Sequence, residues 1–148
     1  MGTQTILMVE DSDDDFFAAQ RTFQKAGLNN PIRRCATGDE AMDYLFRRGA
    51  FTDAALAPLP WIILLDLNLP GLDGRDVLRQ VKADPSLRKI PVIILTTSNA
   101  EHDVDQCYAD GANAYVMKPV DIHSFVLAMT RLKDFWFEIA ILPKESES

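Results

Sequence analysis

The chain has 148 residues, 47% of them hydrophobic and 25% charged, with a formal net charge of −7. That length suits one domain with a single buried core, and that composition suits a soluble globular protein. The acidic balance argues against nucleic acid, which needs a basic face to meet its phosphates, and no apolar stretch approaches a membrane span.

In chain order, short β-branched or apolar runs at residues 5–9, 31–35, 61–65, 91–95 and 114–117 predict five strands. The segments between them read as helices. Ser12 with Asp15, Thr37 with Glu40 and Ser98 with Glu101 each have the spacing of a capping box, in which side chains satisfy free N–H groups of the first turn. Gly27 and Gly111 sit where helices should stop, and Asp121 is placed to cap the last one. Alternating strands and helices imply a parallel sheet covered on both faces, with right-handed crossovers. The third run, Trp61 to Leu65, is the most apolar and belongs at the centre. Residues 47–60 exceed a usual connection and read as a partly ordered surface loop; the tail from Lys144 to Ser148 reads as disordered. Cys35 and Cys107 are isolated, as buried thiols in a reducing cytoplasm would be, and the N-terminus lacks a secretory signal pattern. His102 and His123 fall early in helices and read as surface residues.

Four of the strands end in a polar group. Glu10 and Asp11 follow the first, Asp66 the third, Thr96 and Thr97 the fourth, and Lys118 the fifth. In open α/β sheets that edge is where ligands bind. Three acids there, about 5 Å apart, would repel one another by roughly 3 kcal/mol per pair at an effective dielectric near 20. A Mg²⁺ or Mn²⁺ ion offsets such repulsion and leaves room for phosphate oxygens. A carboxylate is also a competent nucleophile toward phosphorus. Lys118 supplies a fixed positive charge and Thr96 a hydroxyl donor.

These residues, in this order, resemble the receiver domain of two-component response regulators. The resemblance rests on Val9-Glu10-Asp11, the string from Leu65 to Gly74 (LDLNLPGLDG), Leu95-Thr96-Thr97 and Tyr115-Val116-Met117-Lys118-Pro119, and covers residues 5 to about 135. It implies a flavodoxin-like, doubly wound (βα)5 fold with strand order 2-1-3-4-5 and an extended last helix. It implies phosphorylation of Asp66 by a histidine kinase. Glu10, Asp11, Asp66 and the backbone carbonyl of Asn68 would form the metal site, Thr96 and Tyr115 a switch pair, and Lys118 the phosphate-binding lysine. Lys118-Pro119 would be a cis peptide, and Asp73-Gly74 a turn and helix start without chemistry. Residues 1–148 would form one receiver domain, with a C-terminal extension from about 136, and no effector domain would follow. The segment before the third strand and the ending from Lys133 to Pro143 resemble, more narrowly, single-domain regulators of bacterial phytochrome kinases. That implies a cytoplasmic light-signalling phosphorelay, with another phosphorelay or a chemotaxis-like pathway as the alternative.

Two other readings compete. Aspartate-nucleophile phosphatases resemble this arrangement but usually carry a second Asp two residues after the nucleophile. Here that position is Asn68, which cannot serve as a general acid, so only slow autodephosphorylation is expected. A binding module that has lost phosphorylation would not need the full pocket. In the last helix, Phe125, Ala128, Met129, Leu132, Trp136 and Ile139 follow helical spacing and should face the sheet. Phe137 and Ile141 should point elsewhere, which predicts a second covered surface, a homodimer through the last helix and its extension.

Overall fold

The computed structural model describes residues 4–143. Five strands, β1 (Ile6–Val9), β2 (Ile32–Cys35), β3 (Ile62–Leu65), β4 (Val92–Thr96) and β5 (Ala114–Met117), pair in parallel in the order β2-β1-β3-β4-β5. Five helices alternate with them: α1 (Asp13–Lys25), α2 (Gly38–Phe46), α3 (Gly74–Ala83), α4 (Glu101–Ala109) and α5 (Ile122–Lys133). This is the flavodoxin-like arrangement that the receiver resemblance implied. The side-chain period of two divides the core. Leu7, Val9, Ile63, Leu65, Val92 and Ile94 face α2, α3 and α4; Ile6, Met8, Ile62, Leu64, Ile93 and Leu95 face α1 and α5. The inner strands are buried on both sides, which is why they read as unbroken apolar runs, whereas edge strands β2 and β5 are only partly covered.

Local signals set most boundaries. Ser12, Thr37 and Asp121 accept hydrogen bonds from Asp15, Glu40 and Ser124 backbone N–H groups. Gly27 and Gly111 follow α1 and α4 at φ of 88° and 105°. The Ser98–Glu101 box does not form. Ala100 is the N-cap of α4, without a side-chain bond, and the Ser98 hydroxyl donates instead to Asp103 at 2.7 Å. The Ser98 oxygen accepts only from the Ala100 N–H, at 3.4 Å, because the helix starts two residues later than the box requires.

The segment at 47–60 is pinned rather than loose. A short 3₁₀ turn (Gly49–Phe51) stacks Phe51 against Tyr44, the Tyr44 hydroxyl donates to the Pro58 carbonyl at 2.7 Å, and Ala57 and Leu59 are buried. Every described peptide bond is trans, Lys118-Pro119 included, against the expected cis form. An X–Pro bond separates its two isomers by only about 0.5–1 kcal/mol, so surrounding contacts decide between them. The predicted disorder of Lys144 to Ser148 lies outside the described residues.

After Lys133 the chain continues as a π-helical turn, Asp134–Ile139, closed by the Ala140 N–H donating to the Phe135 carbonyl. The wider winding rotates the side chains out of the phase that the helical spacing predicted. Trp136 and Phe137 pack on the α1–α5 side of the core, with Phe137 against Phe23 and Trp61. Ile139, expected to face the sheet, is 69% exposed, and Ile141 is 98% exposed.

Candidate phosphoryl and metal site

The ends of β1, β3, β4 and β5 bring the predicted residues together. Glu10 is 1% exposed, Asp66 and Lys118 are 6% exposed, and Thr96 is fully buried; Asp11 lies at the surface. Carboxylate oxygens of Glu10, Asp11 and Asp66 lie within 4.8 Å of one another. The Lys118 ammonium contacts Glu10, and reaches Asp15 Oδ2 at 2.9 Å and Asp66 Oδ2 at 3.0 Å. An ammonium has three protons to donate, so all three face carboxylates. The other Asp66 oxygen accepts from the Asn68 N–H at 3.2 Å, and the Asn68 amide nitrogen lies 3.5 Å from the Thr96 hydroxyl. Gly74, where α3 begins, is required by close approach: a Cβ there would sit 2.1 Å from the Asp66 carbonyl oxygen. Asp73 caps α3 through the Arg75 N–H.

Charge does not balance in this pocket, where four carboxylates meet one ammonium. Burial pushes the Glu10 carboxyl up to about 7, against the pull of Lys118. Burial by itself would lower Lys118, but hydrogen bonds to Glu10 and Asp15 and the charge of Asp66 hold it above the ordinary lysine value. Hard carboxylate oxygens converging on one point, with surplus negative charge, are the donor set that suits Mg²⁺ or Mn²⁺.

Asp15 is the residue the sequence underestimated. It was legible only as the partner of the Ser12 cap, yet its carboxylate reaches Lys118. The run Asp13-Asp14-Asp15 in the first turn of α1 was the available signal, one turn beyond the acid pair. Tyr115, the expected switch aromatic, packs against the core, and its hydroxyl donates to the Ser98 carbonyl at 2.8 Å. His102 and His123 are exposed, and Cys35 and Cys107 are buried free thiols. Burial pushes the Cys35 thiol up to about 12, which removes it as a nucleophile.

Residues 6–130 match the family model for the response regulator receiver domain. Response regulator Rcp1 of Synechocystis is 36% identical over 140 residues, covering 95% of this chain and 93% of its own length. The crystal structure of the phosphorylated cyanobacterial phytochrome response regulator RcpA superposes with a TM-score of 0.90 at 34% identity, over 97% of this chain and 100% of the other. A Mn²⁺-bound structure of Rcp1 superposes equally well, with a TM-score of 0.90 at 35% identity, over 95% and 99% of the two chains.

Proposed function

Because this chain belongs to the response regulator receiver family, we propose that Asp66 accepts a phosphoryl group from a histidine kinase, and that the phosphorylated protein signals by contact with a partner. The observation that carries the assignment is a buried Asp66 held 3.0 Å from Lys118 beside two further acids. An Asp66 oxygen attacks phosphorus as the phosphorus–nitrogen bond to the donor histidine breaks, and that electron pair returns to the imidazole. Lys118 exchanges one of its carboxylates for a phosphoryl oxygen, and the Thr96 hydroxyl donates to another. Glu10, Asp11 and Asp66, with the Asn68 carbonyl, would hold Mg²⁺ or Mn²⁺, which when bound neutralises the acids and the incoming phosphoryl charge. Asn68 offers no general acid or base two residues after the acceptor, so the acyl phosphate is lost slowly and serves as a timer. Thr96 and Tyr115 couple the phosphoryl group to the surface of α4, β5 and α5.

The kinase is a bacterial phytochrome, and the setting is a cytoplasmic light-signalling relay without a nucleic-acid contact. The likeness to cyanobacterial phytochrome regulators over nearly the whole chain supports this, as do the net charge of −7 and the absence, among the described residues, of a helix able to cross a membrane. Residues 1–148 act as one receiver unit whose extension, from about 136, joins two copies. Phe135, Ile139 and Ile141 stay exposed while Trp136 and Phe137 cover the chain's own core, which leaves an apolar surface for a second copy.

Incubating the chain with Mg²⁺ and acetyl phosphate, then with candidate kinases, tests the central assignment. Stoichiometric label that disappears in Asp66→Asn is expected. Undiminished label in that variant would move the acceptor elsewhere.

A further inference from the structure

Helix α4 is attached unlike the other four. Of its nine residues only Cys107 is buried, and its first turn lacks the side-chain cap that Ser12, Thr37, Asp73 and Asp121 give α1, α2, α3 and α5. Its ties to neighbouring elements are polar. The Arg75 guanidinium grips the Asp103 carboxylate through two nitrogens, at 3.0 Å and 2.8 Å, and reaches Asp73 at 3.1 Å with a third. One turn on, Arg79 reaches Asp110 at 3.3 Å. The Tyr108 hydroxyl accepts from the Tyr115 N–H on edge strand β5 at 3.1 Å.

Arg75 is the second residue of α3, nine positions after Asp66, so it stands on the connection that follows the acceptor. Its partner Asp103 also takes the Ser98 hydroxyl, and the Ser98 carbonyl takes the Tyr115 hydroxyl. Ser98 is two residues past Thr96. A hydrogen-bonded path therefore leads from the start of α3, through Arg75, Asp103 and Ser98, to Tyr115, and two residues of backbone join Ser98 to Thr96. The pair is not a loose surface bridge: the Arg75 side chain is 27% exposed and that of Asp103 is 17% exposed. Ser98 and then Arg75 pull the Asp103 carboxyl below its ordinary value.

We propose that Arg75 is a positioning residue for the switch, a clamp holding the first turn of α4 and the β4–α4 connection against the start of α3. With the clamp closed, Ser98 stays where it receives the Tyr115 hydroxyl. A displacement of Thr96 is passed to α4 by loosening this polar contact, and the sheet core need not repack because α4 contributes only Cys107 to it. A planar guanidinium on a carboxylate has a discrete made or broken geometry, which suits a two-state element better than graded apolar contact. The inference rests on the reading of Asp66 as phosphoacceptor.

The test is amide hydrogen exchange on the full chain, alone and with Mg²⁺ and beryllofluoride as the phosphoryl mimic, in wild type, Arg75→Gln, Asp103→Asn and the double variant. Without the mimic, Arg75→Gln should speed exchange of the hydrogen-bonded α4 amides, from Val104 onward, about fivefold, the factor that accompanies an ion pair near the top of the exposed range. Exchange in α1 and α5, and labelling of Asp66 by acetyl phosphate, should stay close to wild type. The mimic-induced change over residues 98–105 should shrink in both single variants, and the double variant should add little to either. Unchanged exchange at α4 in Arg75→Gln would overturn the clamp. So would equal acceleration in every helix, which marks general destabilisation, or an undiminished response to the mimic. If wild type takes no label at Asp66, the phosphoacceptor reading fails, while the exchange comparison without the mimic still decides for or against the clamp.

Discussion

Lys118 and Lys82 stand at opposite edges of the sheet, and each has all three ammonium donors engaged. Lys82, at the end of α3, meets the Arg88 carbonyl at 2.9 Å, the Ile90 carbonyl at 2.8 Å and the Asn113 amide oxygen at 3.1 Å. All three acceptors are neutral, and burial holds this lysine below its ordinary value. Lys118 meets three carboxylates and is held above it. The same hydrogen-bond count thus does two jobs. Neutral acceptors close a site, and Lys82 staples the turn before β4 to the start of β5. Carboxylates leave surplus negative charge that a proton or a cation relieves. The C-terminal edge of the sheet therefore carries unbalanced negative charge, whereas the lysine at the other edge meets neutral acceptors.

The contrast is broken most sharply by replacing each lysine with methionine. Lys118→Met should slow labelling of Asp66 by acetyl phosphate about 100-fold, the scale for losing one preorganised positive donor. Lys82→Met should leave the rate near wild type in the same time course. Comparable slowing in both variants would erase the distinction.

Metal and pH probe the surplus charge directly. Because burial raises Glu10 from 4.5 to about 7, the folded protein holds this proton more tightly than the unfolded chain. The associated stability is fully present below pH 4.5 and is lost as pH rises through about 7. The metal-free thermal midpoint should fall across that window, and Glu10→Gln should flatten the fall. Mg²⁺ competes with the proton, so its stabilisation should grow over the same window, reaching about 2.7 kcal/mol at a hundred times its Kd. A wild-type midpoint insensitive to both pH and Mg²⁺ would contradict the reading.

For the closed site, Lys82→Met should cost about 1–3 kcal/mol in urea unfolding by leaving acceptors unmatched. That loss should not depend on Mg²⁺. The smallest effect belongs to Asp15→Asn. Lys118 keeps Glu10 and Asp66, and Asp15 is partly exposed, so the change in stability should stay below about 1 kcal/mol. A larger loss would make Asp15 an obligatory part of the pocket.

The strand-end acids, the core alternation and the caps at Ser12, Thr37 and Asp121 were legible in the sequence because each depends on residues a few positions apart, through strand pleat, helix turn or first-turn hydrogen bonding. Strand order followed from the receiver resemblance and from the apolar run of β3. Other features depended on partners far along the chain. Asp15 meets Lys118 across 103 positions, and Arg75 meets Asp103 across 28. Nothing local distinguishes those aspartates from the solvated acids beside them. Ser98 had the spacing of a cap, but the folded helix starts after Ala100, and the hydroxyl donates to Asp103. The π-helical turn that turns Phe137 inward and Ile139 outward, and the trans Lys118-Pro119 bond, are choices between backbone states of similar local energy. Sequence by itself determined the elements and the chemistry offered at their ends, because those energies are local. Tertiary structure decided which charges meet and which way the extension faces, because there the local alternatives nearly balance and distant contacts tip them.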